Sequence, residues 1–143
     1  MLKGARARVR QLGLHNVDIR HGAAEQLPLE PASVDVVILA LVLVYTPDPA
    51  AVLKEARRVL KPATPHAPGG ILLVIDLQPH HLDLLRDKLE HRWLGFSQPQ
   101  MESWLAAAGF APNPRFHALS PAQRPHKQPS TPDLFAHRAT TIP

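Results

Sequence analysis

The sequence predicts an α/β fold, and three observations lead to this class. The chain has 143 residues, the size of one domain that can bury a core without disulfide bonds. Two apolar runs, residues 34–41 and 71–75, have the composition of strands that are covered on both faces. The segment between them has the pattern of an amphipathic helix, so the three elements form a right-handed βαβ crossover.

The first predicted element is a short amphipathic helix over residues 2–12. Apolar residues recur there at helical spacing, and Gly13 is suited to end the helix. Residues 16–22, NVDIRHG, have the pattern of a short strand that ends at a glycine. Residues 27–33, LPLEPAS, then form a loop that leads into the first apolar run.

The crossover helix has clear start and stop signals. Asp48 is a suitable N-cap, Pro49 fits the first helical position, and Pro62 ends the helix. The predicted apolar stripe consists of Val52, Leu53, Ala56, Val59 and Leu60. The residues expected to face water are Lys54, Glu55, Arg57 and Arg58.

Two further helices are predicted after the second apolar run. The third helix begins near His81, and Leu82, Leu85, Leu89 and Trp93 lie on one of its faces. The fourth is marked by Ser97 and Gln100 at capping-box spacing and by Gly109 as its stop. The core stripe of the fourth helix consists of Met101, Trp104, Leu105 and Ala108.

The segment 112–143 is rich in proline, which favours extended pieces or a loose tail. Residues 115–120 and 133–140 have strand patterns and could pair as an antiparallel hairpin across a long loop.

Composition excludes several classes of protein. The net charge is +4 with a pI near 10, but one basic group lies on the first predicted helix and another in the proline-rich tail, with acidic helices between them, and only seven residues are aromatic. A nucleic-acid groove needs converging charge and stacking rings, so solvated surface charge is the favoured interpretation. The chain has no cysteine and no apolar run long enough to span a bilayer. These features predict a cytoplasmic protein without a membrane segment or a thiolate metal site.

A resemblance to a known family rests on three motifs: GAAEQLPLEPASVDVVILALVLVYTPDPAAVLKEARRVLKP, GGILLVIDL and WLAAAGF. Together they resemble the class I SAM-dependent methyltransferases of the methyltransferase type 11 kind. Residues 79–110 are most similar to the domains fused to ArsR-type regulators. The resemblance covers residues 1–111 and implies transfer of a methyl group from S-adenosyl-L-methionine (SAM) to a small molecule. That reaction mainly requires aligned and desolvated reactants.

The resemblance also implies where the cofactor binds. In doubly wound sheets the ligand lies beyond the carboxyl ends of the strands. The adenine ring would pass Gly22, Ala23, Ala24 and Glu25, and the methionine side would be lined by Ala40 and Leu41. The family position of Ala23 is usually acidic and accepts a hydrogen bond from the adenine amino group, a contact worth about 1 kcal/mol.

The family fold begins with a strand and a glycine-rich loop, followed by a second strand that ends in an acidic residue, and neither has a counterpart here. We therefore expect one partial domain over residues 1–143, with a mostly parallel Rossmann-like sheet that lacks its first two strands and ends in an antiparallel hairpin. The strand at 34–41 would have a bare edge, which favours a homodimer or a partner. SAM binding would be weak or absent. The alternatives are a non-enzymatic remnant that associates through this edge, and the C-terminal part of an ArsR-type regulator.

Four residues are candidates for the substrate pocket: Tyr45, Asp76, His80 and His81. His80 could accept a proton as a neutral imidazole, or lie at the surface or cap a helix. Asp76 ends the second apolar run and either faces the site or caps a turn. Tyr45 either walls the pocket or packs at its rim. A helix of eleven residues would hold His80 and His91 about 16 Å apart, so no shared metal site is predicted. No catalytic residue is predicted.

Overall fold

The computed structural model of the protein describes residues 2–112, 114–119 and 132–143. The elements are α1 (Leu2–Gln11), β1 (Val36–Ala40), a 3-10 turn (Leu43–Tyr45), α2 (Pro49–Val59), β2 (Ile71–Leu77), α3 (Asp83–Leu89), α4 (Gln98–Ala107), β3 (Arg115–Leu119) and β4 (Leu134–Thr140). The strands form one sheet in the order β1-β2-β4-β3. β1 and β2 are parallel, and the other two pairs are antiparallel. The predicted α/β class and the C-terminal hairpin pairing are confirmed.

The crossover between β1 and β2 has the predicted helix and caps. The Asp48 side chain accepts a hydrogen bond from the Ala51 amide at 3.0 Å, and Pro49 is the first helical residue. The predicted stripe of α2 is buried. One expectation is wrong: Glu55 does not face water but is 9% exposed. The reason is a pairing with the loop before β1, described below.

The core lies on one face of the sheet. Side chains that alternate along the strands, among them Leu39, Leu72, Val74 and Phe135, pack against α2 and α4 in one buried cluster. The indole of Trp93 contacts the indole of Trp104 and the phenyl ring of Phe96 at this core, with ring centroids 5.8 Å apart in both cases. Burial of this apolar surface is the main contribution to stability.

The opposite face of the sheet is open. Val36 and Ile38 point to this side and are 51% and 60% exposed. The expectation of a strand buried on both faces is therefore wrong for β1, because no described helix covers its second face. Helix α1 has the predicted bounds within one residue and ends at Gly13, but it buries none of its residues.

The outer edge of β1 is also bare. In the parallel register with β2, the Ile71 amide donates to Asp35 and the Leu41 amide donates to Ile75. Backbone groups alternate along a strand, so the N–H and C=O groups of Val36, Ile38 and Ala40 point away from β2. Within the described ranges no other strand pairs with this edge.

Two predicted elements differ from the structure. Residues 16–22 form no strand, because no described strand pairs with them. α3 covers only Asp83–Leu89, so Trp93 lies after the helix. The chain leaves α3 at Glu90, whose φ is 56°, a left-handed conformation that ends the helix.

α4 begins and ends as predicted. The Ser97 side chain accepts a hydrogen bond from the Gln100 amide at 3.4 Å, and Met101 and Leu105 are buried. Gly109 follows the helix with φ +84°, which favours glycine. In the part of the chain that the structure describes, no helix combines the length and apolar character needed to cross a membrane.

Candidate functional site

The carboxyl end of β1 has a strained backbone. Leu41 follows the strand with φ 52° and donates its amide to the Ile75 carbonyl at 2.8 Å. A leucine in the left-handed region costs on the order of 1 kcal/mol and persists only where surrounding contacts hold it. The chain then enters the 3-10 turn Leu43–Tyr45.

Asp76 holds this turn. Its carboxylate is fully buried at the end of β2, accepts the Leu43 amide at 3.1 Å and accepts the Leu77 amide at 2.9 Å. Burial raises the pKa of Asp76 to about 6, against the lowering effect of these amide hydrogen bonds. The sequence left two roles open for Asp76, facing the site or capping a turn. These contacts favour the cap, although the turn that Asp76 caps follows β1 rather than β2.

A cleft of about 210 Å³ opens beside this turn. The residues that line it are Leu41, Val44, Tyr45, Leu77, Leu89, His91 and Pro132. Two of the predicted residues, Leu41 and Tyr45, are thus brought together at the carboxyl ends of the parallel strands. All the lining side chains except Tyr45 and His91 are apolar.

Tyr45 and His91 form a pair in the wall of this cleft. The Tyr45 hydroxyl lies 3.2 Å from His91 Nε2, and the two rings meet edge to face with centroids 4.9 Å apart. His91 is 6% exposed, and burial lowers its pKa, so its imidazole is neutral near pH 7. The buried Nδ1 of His91 has no hydrogen-bond partner among the described residues.

The other two predicted histidines differ from each other. His80 accepts the Leu82 amide on Nδ1 at 3.2 Å, which is a capping contact, and its buried Nε2 has no partner within the described part of the chain. Burial lowers the pKa of His80, and positive charge on His91 lowers it further. His81 is exposed.

The distance argument against a shared metal assumed that His80 and His91 are separated by an unbroken helix, and that premise is wrong because α3 is short. The His80 amide donates to the Leu94 carbonyl at 3.0 Å, so the segment after α3 returns to the residues before it. Over the described ranges, no group of three or more metal-ligating side chains converges.

The residues with the adenine-turn pattern lie in the loop before β1. Ala23 and Gln26 form a bridge, and Ala24 packs against the core. A Cβ on Gly22 would lie 2.6 Å from Pro28 Cδ, so the turn requires glycine at this position. Glu25 is half-buried and Ala23 is exposed.

Helix α2 anchors this loop. Glu55 accepts the Leu27 amide at 2.7 Å, and Arg58 donates to Glu55 at 2.6 Å and to the Leu29 carbonyl at 2.9 Å. The hydrogen bond from Arg58 lowers the pKa of Glu55 despite its burial. Sequence reasoning missed both residues, because their helical positions are those of a solvent face. The available signal was an acidic and a basic residue three positions apart in α2. Such a pair can bind a loop whose backbone groups need hydrogen-bond partners.

The predicted cofactor residues do not converge on one enclosed cavity. Gly22 lines a cavity of about 320 Å³ together with Asp18, Arg20, Leu27, Pro28 and Leu29. Leu41 lines the cleft at the end of β1, and Ala40 is exposed at the bare edge of that strand. The two cavities have no lining residue in common.

Comparison with known proteins decides the family. Residues 1–74 match the family model described as a methyltransferase domain. The chain belongs to this family. Over 76 residues it is 43% identical to a demethylmenaquinone methyltransferase from Listeria welshimeri, which is 53% of this chain and 30% of that protein. This chain thus spans about a third of the length of the curated relatives that it matches.

The fold of this methyltransferase domain is shared with solved structures. A putative methyltransferase from Bacillus halodurans superposes with a TM-score of 0.73 at 18% identity, over 99% of this chain and 79% of that one. A SAM-dependent methyltransferase from Aquifex aeolicus gives a TM-score of 0.69 at 22% identity, over 99% and 63%. The resemblance to class I methyltransferases is confirmed, and the likeness to ArsR-fused domains stays a prediction.

The residues present fit one side of a SAM site. The small side chains of Ala23 and Ala24 leave room for a flat ring beside the loop, and the strained Leu41 marks the carboxyl end of β1. Within the described ranges, no single cavity contains both the loop residues and the end of β1.

Proposed function

We propose that this chain carries the adenine-side and acceptor-side portion of a SAM-dependent methyltransferase that acts on a small molecule. The observation that supports this most directly is the carboxyl end of β1, where the strained Leu41 and the turn held by Asp76 lie beside a cleft. Doubly wound sheets place their ligands at this position. The family match supports the same reaction class.

The chemistry requires little of the protein. SAM supplies a methyl group that is already activated by a sulfonium centre. The chain's own residues would orient the adenine through the loop that Glu55 and Arg58 anchor, and would exclude water through the apolar lining of the cleft beside Tyr45. No general base is needed to activate the donor, which is consistent with the absence of a strong catalytic motif.

We propose further that the 143-residue chain binds SAM weakly. Ala23 cannot accept a hydrogen bond from the adenine amino group, which removes about 1 kcal/mol. The bare edge of β1 also leaves the bound cofactor exposed to water on one side. Both features reduce the affinity for SAM, although the residues that would flank the cofactor are present.

A matched pair of variants tests this proposal. Ala23→Asp restores an acceptor for the adenine amino group, and Ala67→Asp makes the same charge change in the other bridged turn, Thr64–Ala67. We expect ligand-observed NMR to detect weak SAM binding that tightens about fivefold in Ala23→Asp, the equivalent of one hydrogen bond. Ala67→Asp should leave it unchanged. Equal affinities in all three proteins, or no detectable binding, would contradict the proposal.

A second candidate function is non-enzymatic association. It is favoured by the bare edge of β1 and by the exposed Val36 and Ile38 beside it, since an apolar strand with free backbone groups invites pairing with a second copy or a partner. Sedimentation velocity over a hundredfold range of concentration tests it. A dimer is expected on this hypothesis, and a monomer throughout the range would count against it.

A further inference from the structure

We infer that the cleft beside the 3-10 turn binds the methyl acceptor, that the acceptor is an uncharged single-ring compound with a hydroxyl group, and that Tyr45 receives the hydroxyl proton. This inference rests on the proposed function, because the acceptor needs a sulfonium methyl donor. It assigns to Tyr45 and His91 a role that neither the family match nor the shared fold assigns.

The lining of the cleft favours an uncharged ring. Three of the lining side chains are about half exposed: Leu41 at 44%, Tyr45 at 46% and Leu89 at 50%. They form an exposed apolar cluster within a concave surface. Among the residues that the structure describes, no charged side chain lines the cleft. An anionic acceptor would lose its hydration there without gaining a counter-ion, so carboxylates and phosphates are disfavoured.

The size of the cleft limits the acceptor. Its volume of about 210 Å³ is somewhat larger than an engineered cavity of about 150 Å³ that binds benzene. One substituted aromatic ring fits this space, whereas a fused multi-ring system would extend out of it.

The Tyr45–His91 pair gives the cleft its single reactive feature. His91 is buried and neutral, and its Nε2 lies 3.2 Å from the tyrosine hydroxyl. A neutral imidazole with the proton on Nδ1 accepts the tyrosine proton on Nε2, which leaves the tyrosine oxygen free to accept a hydrogen bond from a ligand. His91 Nδ1 has no partner in the described structure, so no second contact opposes this arrangement.

Methylation of a hydroxyl requires such a proton acceptor. As the new O–C bond forms, the C–S bond of the donor breaks and the sulfonium becomes a neutral thioether. The O–H bond of the acceptor also breaks, its proton passes to the Tyr45 oxygen, and the tyrosine proton passes to His91 Nε2. The positive charge that leaves sulfur is therefore found on the imidazole, and atoms and charge balance.

The backbone holds Tyr45 in place for this role. Asp76 fixes the start of the turn through the Leu43 amide, and the Arg92 and Trp93 amides both donate to the Val44 carbonyl, at 2.7 and 3.2 Å. The segment that carries His91 is thus tied directly to the segment that carries Tyr45. Tyr45 would be the catalytic residue, and His91 would position it and take up its proton.

Ligand binding to the isolated chain tests the inference without any methyl transfer. Tyr45 is the only tyrosine in the sequence, so a chain with ¹³C-labelled tyrosine gives one assigned ring signal. The probes are 4-fluorophenol, its methyl ether 4-fluoroanisole, which lacks the donor, and the anion 4-fluorobenzoate. We expect 4-fluorophenol to shift the tyrosine signal and to bind about fivefold more tightly than the ether, the equivalent of one hydrogen bond.

Variants refine the same test. Tyr45→Phe and His91→Gln should reduce the preference for the phenol over the ether to about one, whereas His66→Gln, a change at an exposed histidine, should retain it. Equal binding of phenol and ether to the unchanged chain, tighter binding of benzoate, or an unshifted tyrosine signal would overturn the inference, even if a variant fails to fold. Phenol binding in a chain that does not respond to Ala23→Asp would retain the acceptor site and contradict the proposed SAM function.

Discussion

The two faces of the sheet carry similar residues but have different surroundings. On one face Leu72, Val74 and Phe135 are fully buried beneath α2 and α4. On the other, Val36 and Ile38 are more than half exposed, although they belong to the same kind of aliphatic run. The strands therefore have the composition of a sheet covered twice, and the described chain covers it once. The covered face therefore accounts for the stability of the molecule, and the open face is apolar surface that remains exposed.

The largest expected difference between the faces is in packing. Leu72→Ala on the covered face should lower the free energy of unfolding by about 3 kcal/mol, because it leaves a cavity in a closely packed core. Ile38→Ala on the open face should change it by less than about 0.5 kcal/mol. Urea denaturation monitored by circular dichroism measures both. Similar losses in the two variants would show that the open face is covered in solution.

Variants of Asp76 test how much its hydrogen bonds at the end of the covered face contribute to stability. Asp76→Leu removes the acceptor of the Leu43 and Leu77 amides and should lower the free energy of unfolding by about 2 kcal/mol. Asp76→Asn removes the buried charge but replaces one of the two acceptor oxygens with an NH2 group that faces an amide donor, so at pH 8 we expect a loss of about 1 kcal/mol, smaller than that of Asp76→Leu. The same urea denaturation distinguishes the two variants. A large loss in Asp76→Asn would indicate that the charge itself is required.

The covered face should also make stability depend on pH. His137 is fully buried, neither ring nitrogen has a partner among the described residues, and burial lowers its pKa below 6.5. Below that pH the unfolded state binds the proton first, so stability is complete above about pH 6.5 and is lost as the pH falls, by up to about 1.4 kcal/mol per unit.

Two nearby titratable groups also act on His137: Glu102 raises its pKa and His117 lowers it. The raised pKa of Asp76 acts in the opposite direction, because the folded state retains that proton as the pH rises to about 6. Unfolding at pH 7.5 and 5.5 should show a smaller pH difference in His137→Leu than in the unchanged chain. An identical difference would mean that His137 is not buried as the structure shows.

The smallest expected effect on stability is on the open face, and it concerns association. Ile38→Lys places a charge beside the bare edge and should leave the free energy of unfolding within about 0.5 kcal/mol. If the chain associates through this edge, the same change should convert the associated species to a monomer in sedimentation velocity. Lys54→Ile, at an exposed position of helix α2, is the control with the opposite change. Persistence of the oligomer in Ile38→Lys would assign the interface to another surface.

Local chemistry made much of the fold predictable. Asp48, Pro49 and Ser97 act where their capping preferences indicated, and the stripe of α2 is buried. The parallel pairing and the C-terminal antiparallel strands also agree. What could not be predicted depends on tertiary neighbours. Residues 16–22 have strand propensity without a partner strand, and propensity alone does not form a strand.

The candidate site was predictable only in part, for the same reason. Leu41 was named through the family resemblance, and Tyr45 because it follows a strand end, a position that the sequence reveals. His91 was considered only as a metal partner of His80 and was judged too distant for that, because the pattern predicted a longer helix than α3 and gave no sign of the reversal at Glu90. Glu55 was assigned to solvent, because the loop that buries it is distant in sequence. Partners separated by many residues leave no periodic signal.

The bare edge of β1 is the feature on which both the weak cofactor binding and the association hypothesis depend. Amide hydrogen exchange along β1, measured by NMR at low protein concentration, tests it most directly. The account predicts alternation: the amides of Val37 and Leu39 point towards β2 and should be protected, and those of Val36, Ile38 and Ala40 should exchange close to the unprotected rate. Uniform protection along the strand would show that this edge is paired and would contradict the account.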